Sequence, residues 1–226
     1  MLDRRKFLSY IPVAATSLGV MSVIAPHGAV AAKHEPQGIG AIETLMRGHG
    51  LLLRALIVYD VIKGRILKGK ETEPSLIIDT AAVFRNYLED FHEMTEEKYI
   101  FKPLEKNNIL FSSIQELKVQ HGTGYELTHR ITDLAKSGKI NEDMAGYFDD
   151  FIKMYRHHAA FEDTVLFPSF EETEKRVDLV ELASTFEAEE KRVLGHSGFD
   201  DFLNQIIKIE KKLGIFELST STPKLK

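Results

Sequence analysis

His92-Glu93-Met94-Thr95-Glu96-Glu97, followed by Ile100-Phe101, and His158-Ala159-Ala160-Phe161-Glu162-Asp163, followed by Leu166-Phe167-Pro168, are two versions of one phrase. Each gives a histidine, a carboxylate four residues on, a second carboxylate, and then an aliphatic-Phe step. Residues four apart lie on one helix face, one turn from each other. Each stretch therefore aims an imidazole and a carboxylate at one point. Two such points facing across a helix bundle would form a site for a pair of metal ions.

The surrounding pattern is helical throughout. Leu45, His49, Leu52, Leu56 and Tyr59 recur at alternating four and three over a segment from about residue 39 to 67, a bundle seam closed by Lys68-Gly69-Lys70. A second helix starts after Glu73-Pro74-Ser75 and carries Phe84, Leu88, His92, Glu96 and Tyr99 on one stripe, with Pro103 expected to close it. The third, about 110–135, places Ile114, Leu117, His121, Tyr125 and Thr128 on one side. The fourth is expected to be capped by Asn141, to carry Phe148, Phe151, Tyr155, His158, Glu162 and Val165, and to end at Pro168. Short connections favour antiparallel neighbours. The expected fold is all-α: an up-down-up-down four-helix bundle over 38–170, an additional C-terminal helical segment over 171–215 broken at Gly195-His196-Ser197-Gly198, and a loose tail over 216–226. The stretch from Glu187 to Lys212 is mixed in charge and is expected to be a surface helix.

The first 32 residues are expected to stand outside this fold. Asp3-Arg4-Arg5-Lys6-Phe7-Leu8, an apolar run to about Pro26 and the small-x-small step Ala29-Val30-Ala31 have the three-part build of an export signal. The Arg-Arg-x-Phe-Leu element resembles a twin-arginine signal, which implies the twin-arginine export machinery as a partner, cleavage near Ala31 and a periplasmic or otherwise exported protein. Pro12, Ser17 and Gly19 interrupt the run, so no stable membrane anchor is expected.

Composition narrows the chemistry. The chain has no cysteine, which excludes disulfides, thiolate catalysis and iron–sulfur clusters. A net charge of −5 gives no electrostatic reason to bind nucleic acid. Any metal must be held by His and carboxylates, a donor set suited to iron, manganese or zinc. Spacing alone is weak evidence, because 9 His among so many carboxylates produce about one His-x3-Glu pair by chance. The weight comes from context. Both pairs lie on core stripes, both share the carboxylate and aliphatic-Phe sequel, and each follows a helix with its own seam histidine: His49 before His92, His121 before His158. Such a doubled hairpin would have approximate two-fold symmetry. A core of unpaired carboxylates and imidazoles would cost several kcal/mol, whereas bridging metal ions remove that cost.

Look-alikes are set aside on position. Glu89-x2-His92 and Glu126-x2-His129 imitate a ferritin-like motif but fall on the second and third helices rather than on alternate ones. His157 would give a five-residue spacing to Glu162, so His158 is preferred. His129 is expected to be partly solvated and His196 a turn residue. Glu93, Glu97 and Asp163 are expected to be neighbours of the site rather than ligands.

His49, His92-x3-Glu96, His121 and His158-x3-Glu162, with Ile100-Phe101 and Leu166-Phe167-Pro168, resemble the hemerythrin family of HHE cation-binding domains over about residues 40–170. The resemblance implies a non-haem di-iron centre inside the bundle, with manganese or zinc as other metals the ligands would admit. It implies Glu96 and Glu162 as bridges, His49 and His92 on one iron, and His121 and His158 on the other. Oxygen-carrying hemerythrins have a further His one turn after the third-helix His, where this chain has Tyr125, and an Asp five residues after the last His, where this chain has Glu162 four after His158. Four imidazoles in place of five leave more open coordination, which a Tyr125 phenolate or a water would fill. The expected function is a protein that binds, senses or scavenges a small diatomic, O2 or NO. A redox enzyme acting on NO or peroxide, with an unidentified electron donor, and an iron store or delivery protein are the alternatives.

Overall fold

The computed structural model describes residues 40–174 and 176–224. The export signal expected over 1–32 lies outside the described residues. The described residues form six long helices, α1 (Ala41–Ile66), α2 (74–106), α3 (Phe111–Lys136), α4 (142–173), α5 (Arg176–Leu194) and α6 (Phe199–Leu213), and one short 3-10 turn at Leu218–Ser221 in the tail. No strand occurs among the described residues. In the up-down-up-down bundle, α1 packs on α4 and α2, and α3 on α2 and α4. The C-terminal pair α5–α6 lies across α1 and α2.

The local signals act as their chemistry requires. Pro74 sits in the first turn of α2, where its missing N–H is no loss. The Asn141 side chain accepts the Met144 backbone N–H at 3.2 Å, capping α4. Proline, however, does not end α2 or α4 as expected. α2 continues through Pro103 to Lys106, and α4 through Pro168 to Thr173. In both helices a π-helical turn comes immediately before, Glu97–Phe101 in α2 and Glu162–Leu166 in α4. A π turn widens the spiral and shifts the carbonyls that the proline ring would otherwise strike. The same turns advance the side-chain phase. Leu166, not Val165, is the buried residue after Glu162, and Ile100 is more deeply buried than Tyr99. A third π-helical stretch, Phe84–Glu93 in α2, contains His92.

The core is split in two. One apolar cluster takes Leu51 to Ile62 of α1, Leu76 to Phe91 of α2, Ile131 and Ala135 of α3 and Met144 to Ala159 of α4. Its centre is aromatic: the Tyr59 ring lies 5.0 Å from Phe84, 4.5 Å from Phe148 and 5.6 Å from Phe151, centroid to centroid. The other cluster takes Leu45, Ile100, Phe101, Leu117, Leu166 and Phe167 with their neighbours. The buried histidines and Glu96 and Glu162 lie between these two clusters along each helix, held from both sides by apolar layers that exclude water.

α5 and α6 are more than a solvated surface. Phe186, Phe202, Ile206 and Ile209 are buried, and Glu210 is buried in a pair with Arg54 of α1. Most of 187–212 lies at the surface, as expected, but Phe202, Ile206 and Ile209 form an apolar stripe that covers α1 and α2. No described helix is long and apolar enough to cross a membrane.

Candidate metal centre

Six side chains converge midway along the bundle. His49 comes from α1, His92 and Glu96 from α2, His121 from α3, and His158 and Glu162 from α4, all buried. His49, His92 and Glu96 have potential ligand atoms within 4.8 Å of one another, as do Glu96, His121, His158 and Glu162. Glu96 belongs to both groups. Its Oε1 lies 3.0 Å from His92 Nε2 and 3.6 Å from His49 Nε2, while its Oε2 lies 3.8 Å from His121 Nε2. One carboxylate thus offers one oxygen to each hairpin's histidines, the disposition of a bridging ligand. Glu162 reaches both sides through a single oxygen, Oε2, which lies 3.1 Å from His158 Nε2 and 3.2 Å from His49 Nε2.

These approaches are close but not aligned as hydrogen bonds. All four oxygens of Glu96 and Glu162 are buried without a hydrogen-bond partner. Buried carboxylates in such a state cost several kcal/mol unless a cation sits among them. The donor set, four imidazole nitrogens and two carboxylates, fits that cation.

The outer face of the site fixes the rings. His49 Nδ1 hydrogen-bonds Asp163 Oδ1 at 2.6 Å, His121 Nδ1 hydrogen-bonds Glu97 Oε1 at 2.8 Å, and His158 Nδ1 hydrogen-bonds Gln120 Oε1 at 2.9 Å. Each partner is an acceptor, so Nδ1 carries a proton and Nε2 faces inward, where its lone pair is open to a metal once any second proton has left the ring. Two of these contacts are related by the repeat. Asp163 and Glu97 each follow the central glutamate of their own hairpin, and each orients the seam histidine of the other hairpin. The aliphatic-Phe step completes the symmetry. Phe167 stacks on His49 and Phe101 on His121, both at 5.6 Å with the rings 11° and 15° apart. His92 is held by shape instead. It packs against Gly48, where an added Cβ would lie 2.6 Å from His92 Cε1.

Charge explains the protonation pattern. Burial disfavours the His49 imidazolium, but the Asp163 hydrogen bond and the Glu162 and Glu96 charges outweigh it and raise its pKa to about 10. His121 is likewise raised to about 9, against the effect of burial, by Glu93, Glu97, Glu96 and Glu162. Burial pushes the Glu162 carboxyl up, yet His158 and His49 outweigh that and hold it well below the usual carboxylate range. Protons on His49 and His121 therefore balance the central carboxylates wherever metal does not.

Several sequence expectations meet the geometry differently. Tyr125 is 42% exposed on the outer face of α3, under the Arg85 guanidinium and against His129, and does not reach the centre. Gly124 takes the inward position in its place, because the centre lies on the side of His121 towards its third neighbour rather than its fourth. His129, His157 and His196 are exposed. The phenol beside the centre is Tyr155. It is buried, its ring lies 5.5 Å from that of His158, and its hydroxyl donates to Glu93 Oε1 at 2.7 Å. A Cβ at Gly124 would lie 2.6 Å from Tyr155 Cζ, so only glycine admits the phenol there. Gln120 was invisible to sequence reasoning, since nothing in its spacing marks it. Glu97 and Asp163 carried a signal in their matching offsets.

A family model described as the hemerythrin HHE cation binding domain matches residues 40–170. Among curated proteins, an uncharacterized protein of Mycobacterium bovis and uncharacterized proteins of two strains of Mycobacterium tuberculosis are similar. Each is 34% identical over 194 residues, covering 82% of this chain and 74% of the relative. No solved structure matches.

Proposed function

The chain belongs to the hemerythrin HHE cation-binding family, and from that premise we propose that it is an exported protein holding a pair of iron ions on His49, His92, Glu96, His121, His158 and Glu162, with which it binds, senses or scavenges O2 or NO. The observation that carries the metal reading is the set of four orphaned carboxylate oxygens on Glu96 and Glu162, enclosed by four imidazoles whose outer nitrogens are otherwise engaged or packed. An iron pair held there would supply open coordination positions and reversible electron transfer. The chain supplies the rest: Asp163, Glu97 and Gln120 hold three rings with Nε2 inward, and the two apolar clusters keep bulk water away. Export rests on the signal-like build of residues 3–31.

The exposure of Tyr125 favours a second reading, since it takes the Tyr125 phenolate away from the pair and leaves four imidazoles. A four-imidazole set leaves an exchangeable position, which suits reduction of NO or peroxide by the same centre. Ferrous iron loaded under argon and taken through O2 and back separates the readings. A visible band that forms with O2 and vanishes under argon supports diatomic binding. A one-way ferric change supports the redox enzyme or iron handling. Absence of iron uptake would refute both.

A further inference from the structure

Between α2 and α3 runs a polar seam that the six ligands do not use. Glu89 and Glu93 are both buried, and they precede Glu97 at successive four-residue steps along α2. The buried Thr128 hydroxyl of α3 faces Glu89 and favours its charged form, yet neither this contact nor any other gives the Glu89 oxygens or the Thr128 hydroxyl a well-aligned hydrogen bond. Glu93 accepts the Tyr155 hydroxyl and lies in the field of His121 and His158. At the outer end, Arg85 Nε stands 3.1 Å from Glu89 Oε2. Arg85, Thr128 and His129 also line an open surface groove of about 290 Å³. The residue that faces Glu89 inside therefore forms part of the groove outside.

Two buried carboxylates are poor packing for a bundle core, where apolar side chains of similar size would be more stable. Their arrangement has a cation's logic. Glu89 and Glu93 stand two turns and one turn before Glu97 on α2, with the Thr128 hydroxyl beside the first and the Tyr155 phenol on the second, and hard oxygen donors hold a divalent ion in passing without trapping it as imidazoles do.

We propose that this seam, from the groove at Arg85, Thr128 and His129 through Glu89 and Glu93 to His121 and His158, is the path by which divalent metal ions load the bundle. Glu89 is the transit ligand, and Arg85 is the counter-charge that holds it closed. Arg85 keeps other partners when a cation takes its place on Glu89: its guanidinium lies 4.5 Å from the centre of the Tyr125 ring and contacts His129. The path rests on the reading that the six residues hold metal, and the test separates the two.

The chelator-stripped chain is mixed with cobalt(II) under argon. The growth of visible d–d absorption gives the loading rate, and metal analysis gives the final count. Glu89→Gln is expected to load about tenfold more slowly, with the same final count as the parent chain, through loss of attraction along the path. Arg85→Ala is expected to load faster, because the competing charge is gone. Glu217→Gln, an exposed carboxylate beyond α6, is expected to change nothing. Opposite signs at Glu89 and Arg85 are not what loss of packing would produce. Loading of Glu89→Gln at the parental rate would overturn the path, as would a lowered final count, which would make Glu89 part of the centre itself. Should Glu89→Gln not fold, a folded Arg85→Ala chain that loads no faster overturns the path by itself. A parent chain that takes up no cobalt would remove the metal reading and the path together.

Discussion

Loading a divalent metal into this bundle at pH 7 should expel two protons, one from His49 and one from His121. Their pKa values of about 10 and about 9 leave both rings almost fully protonated at that pH, and a metal can bind Nε2 only after its proton leaves. Each expelled proton makes the apparent binding constant rise about tenfold per pH unit, so two together raise it about a hundredfold between pH 7 and 8, about 3 kcal/mol. The slope should halve above pH 9 and vanish above pH 10. Calorimetric titration with a divalent ion under argon, repeated in buffers of different ionisation enthalpy, counts the protons directly. A count near zero at pH 7 would refute the reasoning, because it would mean that the rings are neutral and the carboxylates are compensated in some other way. The same two histidines set the pH dependence of the metal-stripped fold. Their folded pKa values lie above the unfolded value of 6.5. Their stabilisation is therefore fully present below pH 6.5 and is lost as pH rises through about 9 and 10. Denaturation midpoints of stripped protein should fall over that window, and those of loaded protein should not.

Other substitutions test the geometry. His92→Ala and Glu162→Ala should empty the centre by metal analysis, whereas His129→Ala and Tyr125→Phe, both on the outer face of α3, should leave the count unchanged. Asp163→Asn and Glu97→Gln keep an acceptor for the ring N–H but lose its charge, and each should weaken metal binding about tenfold in competition with a chelator. Equal effects are expected because the two contacts are related by the repeat. Gly48→Ala should destabilise by about 1–3 kcal/mol in thermal melts, because the new methyl collides with His92. Gly50→Ala, two residues along the same helix with open space beside it, should stabilise by about 0.5–1 kcal/mol. A wild-type melt for Gly48→Ala would mean that His92 is not held as described.

The helices were legible because their signals are local. The seam Leu45, His49, Leu52, Leu56, Tyr59 needs only the 3.6-residue period to be recognised, and every one of its members is buried. His158 was separable from His157 for the same reason. The misreadings at Tyr125, Val165, Pro103 and Pro168 also share causes. A stripe drawn at a regular period cannot choose between third and fourth neighbours, as at Gly124 and Tyr125, and it does not anticipate π turns such as Glu97–Phe101 and Glu162–Leu166.

By itself the sequence determined the helical segments, the apolar stripes and the two histidine–glutamate pairs, since each follows from backbone geometry within one or two turns. Only the tertiary structure decided which side chains meet across helices: Asp163 with His49, Glu97 with His121, Gln120 with His158, Tyr155 with Glu93, and the placing of Glu89 and Thr128 between a surface groove and the core. Those meetings depend on the rotation and axial offset of neighbouring helices. Offsets of that kind are set by the packing of two apolar clusters drawn from all four bundle helices, and no local period in the chain encodes them.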